Sequence, residues 1–110
     1  YFDLKFKKNI SIIKKKIFVR KIKKCNKRIN LIKIDTNGFE LPIIRGLLKI
    51  INRDRSAIIV ESNHDIKKID QLLKKFSYKS YYFLPDQKKL KPVRKKYPLN
   101  TFFLQKNHLS

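Results

Sequence analysis

The sequence predicts an α/β domain resembling the second half of a doubly wound sheet, and three observations predict it. Two short apolar runs, INLIKID at 29–35 and AIIVE at 57–61, each end on an acid. A segment with helical apolar spacing separates them and another follows, an alternation that builds right-handed crossovers and a parallel sheet. Two further β-rich runs, YKSYYFL at 78–84 and NTFFLQ at 100–105, are joined without a helix, so the closing pair is expected to run antiparallel. Two helices are too few to cover both faces of such a sheet.

Each element follows from its residues. The stretch 5–28 carries 12 Lys/Arg and no acid. Within it, Ile10, Ile12, Ile13, Ile17, Phe18, Val19 and Ile22 supply β-branched and aromatic material, and a strand is expected over 17–22. The near-continuous apolar run from Ile29 to Asp35 suits a strand buried on both faces. Thr36-Asn37-Gly38 then makes a tight turn. A helix follows over about 39–51. Glu40 and Pro42 lie in its first turn, where a negative charge meets the positive end of the helix dipole and a missing N–H costs little. Leu41, Ile44, Leu48 and Ile51 form its apolar stripe, with Arg45, Lys49 and Asn52 opposite. After the strand at 57–61, Asn63 is placed to cap a helix over about 65–76, whose Ile66, Ile69, Leu72, Leu73 and Phe76 share one face. The segment between Pro85 and Pro98 is expected to be a proline-rich loop. His108 falls in a terminal tail. The chain thus divides into a basic lead-in (1–28), the folded part (29–107) and a tail (108–110).

Composition bounds the function. Net charge is +21 over 110 residues. Lys occurs 23 times, Ile 16 and Asn 8, while Ala occurs once and Trp never. Lys, Ile and Asn are residues of A/T-rich codons, so base bias explains much of the charge. Selection for an anionic partner, nucleic acid or an anionic membrane, is the alternative reading. The single cysteine, Cys25, excludes a disulfide framework and any multi-cysteine metal site, and no metal is expected. No apolar run approaches the ~18 residues of a membrane span and no secretory leader is visible, so a cytoplasmic location is expected. The chain opens at Tyr1 and lacks Met, which suggests a fragment, a processed product or a partial reading frame.

Ligands of open α/β sheets bind beyond the carboxyl ends of the strands. Asp35 and Glu61 end consecutive strands there, Glu40 opens the intervening helix, and Asn63 and His64 lie just past the second strand. Carboxylates on such a rim act as general bases, bind sugar or ribose hydroxyls, or hold a cation. The plainer alternative is that Glu40 complements the helix dipole and Asp35 binds turn N–H groups. His64 alone is equally a surface or capping residue. A glycine-rich phosphate loop is excluded, because Gly38 and Gly46 are the only glycines. Tyr78, Tyr81, Tyr82 and Phe83 beside lysines suit either a stacking platform for single-stranded nucleic acid or one buried face of an edge strand.

The segment 31–46, LIKIDTNGFELPIIRG, resembles the hallmark stretch of FkbM-family methyltransferases, most specifically in Lys33-Ile34-Asp35, Gly38 and Glu40. AIIVESNHDI is similar to that family's next strand and helix start. The resemblance implies a Rossmann-like (class I methyltransferase) fold with its last strand inserted antiparallel. It also implies S-adenosylmethionine-dependent transfer to a hydroxyl oxygen of a sugar or secondary metabolite. Asp35 would then lie near the transfer centre, Glu40 would fix the turn or the substrate, and Glu61 would approach the acceptor from the next strand. Asn37, Asn63 and His64 are the acceptor-binding candidates. Asn37 stands where the family commonly has glutamate. The family's cofactor loop and ribose-binding acid belong to an N-terminal half that residues 1–28 do not supply, so this chain alone is expected to be inactive. A small basic nucleic-acid-binding module and a degenerate methyltransferase remnant are the competing readings.

Overall fold

The computed structural model describes the backbone of Ile10–Ile13 and residues 28–109. The strands are β1 (Ile10–Ile13), β2 (Leu31–Ile34), β3 (Ala57–Glu61), β4 (Lys79–Leu84), β5 (Lys89–Pro92) and β6 (Asn100–Leu104). Helix α1 (Glu40–Asp54) crosses between β2 and β3, α2 (Ile66–Lys74) between β3 and β4, and a 3₁₀ turn, Lys106–His108, follows β6. They form one mixed sheet in the order β1-β2-β3-β6-β4-β5. β1, β2 and β3 are parallel, with Leu31 opposite Ala57 and Ile34 opposite Val60. β6 lies antiparallel between β3 and β4. The fold is therefore α/β, with the expected parallel pair and the expected antiparallel closure.

Strand alternation sorts the side chains onto two faces. Ile32, Ile34, Ile58, Val60 and Phe103 share one core with Ile43, Ile44, Leu47 and Ile51 of α1 and Ile69 and Leu73 of α2. Both helices thus pack on the same side, as two right-handed crossovers in one direction require. The opposite face carries a smaller cluster, Leu31, Ala57, Tyr81, Leu90 and Leu104. Toward the carboxyl ends this face opens: Lys33 is exposed and Ile59 half-buried. The expectation that 29–35 is buried on both faces therefore fails at Lys33, because neither helix crosses on that side.

Several boundaries differ from expectation, each for a local reason. α1 continues three residues past its apolar stripe to Asp54, where Arg55 takes the left-handed conformation (φ 52°) and its N–H bonds Ile51 O at 2.8 Å. Asp54 anchors that end, accepting Ile29 N at 2.9 Å and Arg53 Nη2 at 2.8 Å. The Arg53 guanidinium holds its carboxyl below the usual carboxylate range. α2 stops earlier than expected, at Lys74, because Ser77 (φ 69°) reverses the chain. Tyr78 N–H to Leu73 O and Ser77 N–H to Lys74 O, both 3.1 Å, make the paired bonds of a Schellman turn.

The proline-rich segment is a correction: it contains a strand. Lys88 (φ 50°) and the Lys88 N–H to Pro85 O bond, 3.2 Å, close a turn that pairs β5 antiparallel to β4. Pro92 ends this edge strand, where its missing N–H leaves no ladder bond unmade. His108 is the second correction. It is 3% exposed rather than part of a loose tail. Its Nδ1 accepts Gln105 N–H at 2.9 Å, so the neutral ring carries its proton on Nε2, which donates to Arg55 O at 2.6 Å. The strand expected over 17–22, and Cys25, lie outside the described residues.

Candidate functional site

The site grows from the turn between β2 and α1. Asn37 (φ 53°) and Gly38 (φ 109°) both adopt left-handed backbone, which Asn and Gly tolerate best. This reversal points the Thr36 and Gly38 N–H groups inward at the first residue of the helix. Glu40, only 1% exposed, receives them: Thr36 N at 2.8 Å, Thr36 Oγ1 at 2.5 Å and Gly38 N at 3.1 Å. The Asn63 amide donates to its other side, on Glu40 Oε1. Asn63 Oδ1 also accepts Asp65 N–H at 2.8 Å, an Asx turn that leads into α2 without serving as its N-cap. Glu40 thus ties three segments together, the β2–α1 turn, the start of α1 and the β3–α2 loop. Its acceptor capacity is spent on them.

Asp35 and Glu61 behave differently. Both are half-buried at adjacent strand ends, and the Glu61 carboxyl lies against that of Asp35. Close approach to the Asp35 carboxyl, then its charge, raises the Glu61 carboxyl above its ordinary value, while Lys33 opposes the shift. A like charge this close disfavours the ionised form of Glu61. Along β3, Ile59 and Glu61 point to the same face, the one without helices. There Lys33, Ile59, Phe83, Leu99, Asn100 and Phe102 line a groove of about 370 Å³, with Asn100 paired to Glu61 across the ladder. Phe83 is 44% and Leu99 71% exposed.

The structure brings Asp35 and Glu61 together and places Glu40 and Asn63 beneath them as one hydrogen-bonded unit. Asn37 is exposed at the turn's tip. His64 joins neither group. Its side chain is 79% exposed and its Nε2 lies 3.4 Å from Asp65 Oδ2. Sequence reasoning missed Thr36, whose hydroxyl seats Glu40, and the groove residues Lys33, Asn100 and Phe102. A hydroxyl directly after a strand-ending acid was a usable signal for Thr36. The groove had none, because it joins strands distant in sequence.

A Cβ built on Gly38 would have nothing within 4 Å, so the backbone there makes no close-fitting nest. This open turn does not fit the adenosine of a nucleoside methyl donor. Among the described residues no helix is long and apolar enough to cross a membrane.

Comparison with known proteins gives one result. No curated protein and no solved structure matches the chain significantly. The family model for the Methyltransferase FkbM domain matches residues 10–81, from β1 through α2 into β4, and so spans Asp35, Glu40, Glu61 and Asn63. That is more than half of the sequence, and with the rim carboxylates inside the matched segment, the chain belongs to the FkbM methyltransferase family.

Proposed function

We propose that this segment forms the acceptor side of an S-adenosylmethionine-dependent O-methyltransferase with a Rossmann-like sheet. The observation that supports it is the Asp35–Glu61 carboxyl pair beside an open groove, inside the family-matched region. The donor, when bound, supplies an electrophilic methyl group, and contacts for its nucleoside come from outside the described residues. What these residues do is bind and deprotonate the acceptor. Phe102, Phe83 and Ile59 offer an apolar floor for a ring, and Lys33 and Asn100 offer donors for its polar edge. Glu61, whose carboxyl the neighbouring Asp35 holds above its ordinary value, flanks the base. Asp35 is the carboxylate that accepts the acceptor hydroxyl's proton as the oxygen becomes nucleophilic. Glu40 and Asn63 position this rim from below. The acceptor class is a small hydroxylated molecule, a sugar or secondary metabolite.

The test is methyl transfer from radiolabelled S-adenosylmethionine to a panel of hydroxylated acceptors, using the complete reading frame, with a thermal melt of each variant. Asp35→Asn should slow transfer by ~10²–10⁴, the usual worth of a positioned base, without lowering the melting temperature. Glu61→Gln should cost less. Parent-rate transfer by a folded Asp35→Asn variant would defeat the assignment.

A further inference from the structure

A second cavity lies away from the carboxylate rim, on the helical side of the outer strands. It measures about 540 Å³ and lies between α2, the start of β4 and the segment 92–97 that leaves β5. The Val93 N–H to Ser80 O bond, 3.0 Å, fixes that segment against β4. Four cationic side chains line the cavity, Lys67 and Lys74 from α2 and Arg94 and Lys95 from the segment, while Lys79 borders it but alternates with Ser80 onto the face of Tyr81. All four are exposed, and among the described residues none has an ion-pair partner within 4.0 Å.

The single acid of the lining is Asp70, and it is 5% exposed. Its Oδ2 accepts Tyr97 Oη at 2.5 Å and Ser80 Oγ at 3.1 Å. Its Oδ1 is buried with no hydrogen-bond partner. Leaving a carboxylate oxygen buried and unpaired is costly, and such exceptions call for a missing donor. Burial, then the Asp70 contact, pushes the Tyr97 hydroxyl up to about 12, so it stays a donor and cannot offer a second charge. The cavity therefore holds a strong surplus of positive charge around one buried carboxylate oxygen that lacks a donor.

We infer that this cavity binds a small phosphorylated polyol, such as a sugar phosphate, with its phosphate on Lys74, Arg94 and Lys95 and a hydroxyl donated to Asp70. The chemistry matches on both counts. Arg and Lys together recognise phosphate through charge-assisted hydrogen bonds, Arg with bidentate geometry. A sugar hydroxyl is the neutral donor that Asp70 Oδ1 lacks. The volume falls within the usual ~300–1,000 Å³ of small-molecule sites. A nucleic acid strand fits less well, since a buried carboxylate repels a phosphodiester path and supplies no stacking surface. This site does not depend on the methyltransferase reading.

Isothermal titration calorimetry of the 110-residue chain in 150 mM NaCl decides it, with ribose 5-phosphate, ribose, inorganic phosphate and a 12-nucleotide oligothymidylate as probes. Ribose 5-phosphate should bind about tenfold or more tighter than phosphate or ribose, the difference one well-made hydrogen bond supplies. Lys74→Ala with Arg94→Ala should abolish that binding. Lys88→Ala with Lys89→Ala, an equal charge change on the β4–β5 hairpin, should leave it intact. A folded Asp70→Asn variant should bind ribose 5-phosphate no better than phosphate. Equal binding of ribose 5-phosphate and phosphate by the parent chain would overturn the inference. So would equal losses in the two double variants, or oligothymidylate binding tighter than ribose 5-phosphate. If Asp70→Asn fails to fold, the paired double variants still decide.

Discussion

Glu40 and Asp35 stand five positions apart on the same rim, yet their surroundings give them opposite work. Glu40 is enclosed by Thr36, Gly38 and Asn63, all donors, so its charge is balanced by oriented N–H and O–H groups and by the N-terminus of α1. Removing it would strand several buried donors. Glu40→Ala should therefore lower unfolding free energy by about 1–3 kcal/mol or more, read from urea denaturation. Glu40→Gln should cost less, since one oxygen remains to accept. Any loss of methyl transfer in these variants should follow the loss of folded protein, whereas for Asp35→Asn it should not. The acidic strand ends and the turn between them were legible in the sequence, because Asp-Thr-Asn-Gly after an apolar run has few other conformations. Which acid turns inward was not legible. Spacing gives a position along the chain, and direction is decided by Asn37 and Gly38 taking left-handed backbone together.

At the scale of elements, the parallel pair β2 and β3 and the crossing α1 could be read from hydrophobic period alone. Periodicity failed at the edges. β5 (KLKP) has one buried apolar residue, Leu90, and two lysines, so it carries little pattern of its own; its strand character comes from pairing with β4. The 3₁₀ turn after β6 is a similar case. A histidine near a chain end gives no sign of burial, but His108 stacks with Tyr78, ring centroids 6.4 Å apart, and bridges the backbone of Gln105 and Arg55. Burial holds its imidazole below the ordinary 6.5. The unfolded chain therefore gains a proton before the folded one does. Stability should be full above pH 6.5 and decline as pH falls below it. Melting temperatures between pH 7.5 and 5.5 should show this slope. His108→Ala should melt lower at pH 7.5, by an amount that reflects about 1–3 kcal/mol of lost pairing, and should show a flatter slope. Equal slopes for parent and variant would place the titrating group elsewhere.

The whole molecule combines a one-sided sheet with a very high charge. Both crossovers run the same way, so the helices bury Ile32, Ile58 and Phe103 while Phe83, Leu99 and half-buried Phe102 remain open on the other side. Charge acts on every part of this surface at once. With 29 basic and 8 acidic side chains, repulsion among like charges opposes the compact state. Few ion pairs relieve it among the described residues: Asp54 meets Arg53 and Asp65 meets Lys68, whereas Glu40 and Asp70 are engaged by neutral donors. Salt should therefore stabilise the fold. Raising NaCl from about 20 to about 200 mM shortens the screening length several-fold, so the melting temperature should rise over that range. Binding to random-sequence DNA should fall over the same range, because each phosphate contact releases a counterion whose entropy salt cancels. The two trends discriminate between origins of the charge. Charge that follows base composition gives both trends and no sequence preference. Charge selected to grip one nucleic acid gives retention at 200 mM salt on one sequence, measured by gel shift, and that result would favour the nucleic-acid reading over an acceptor-binding methyltransferase surface.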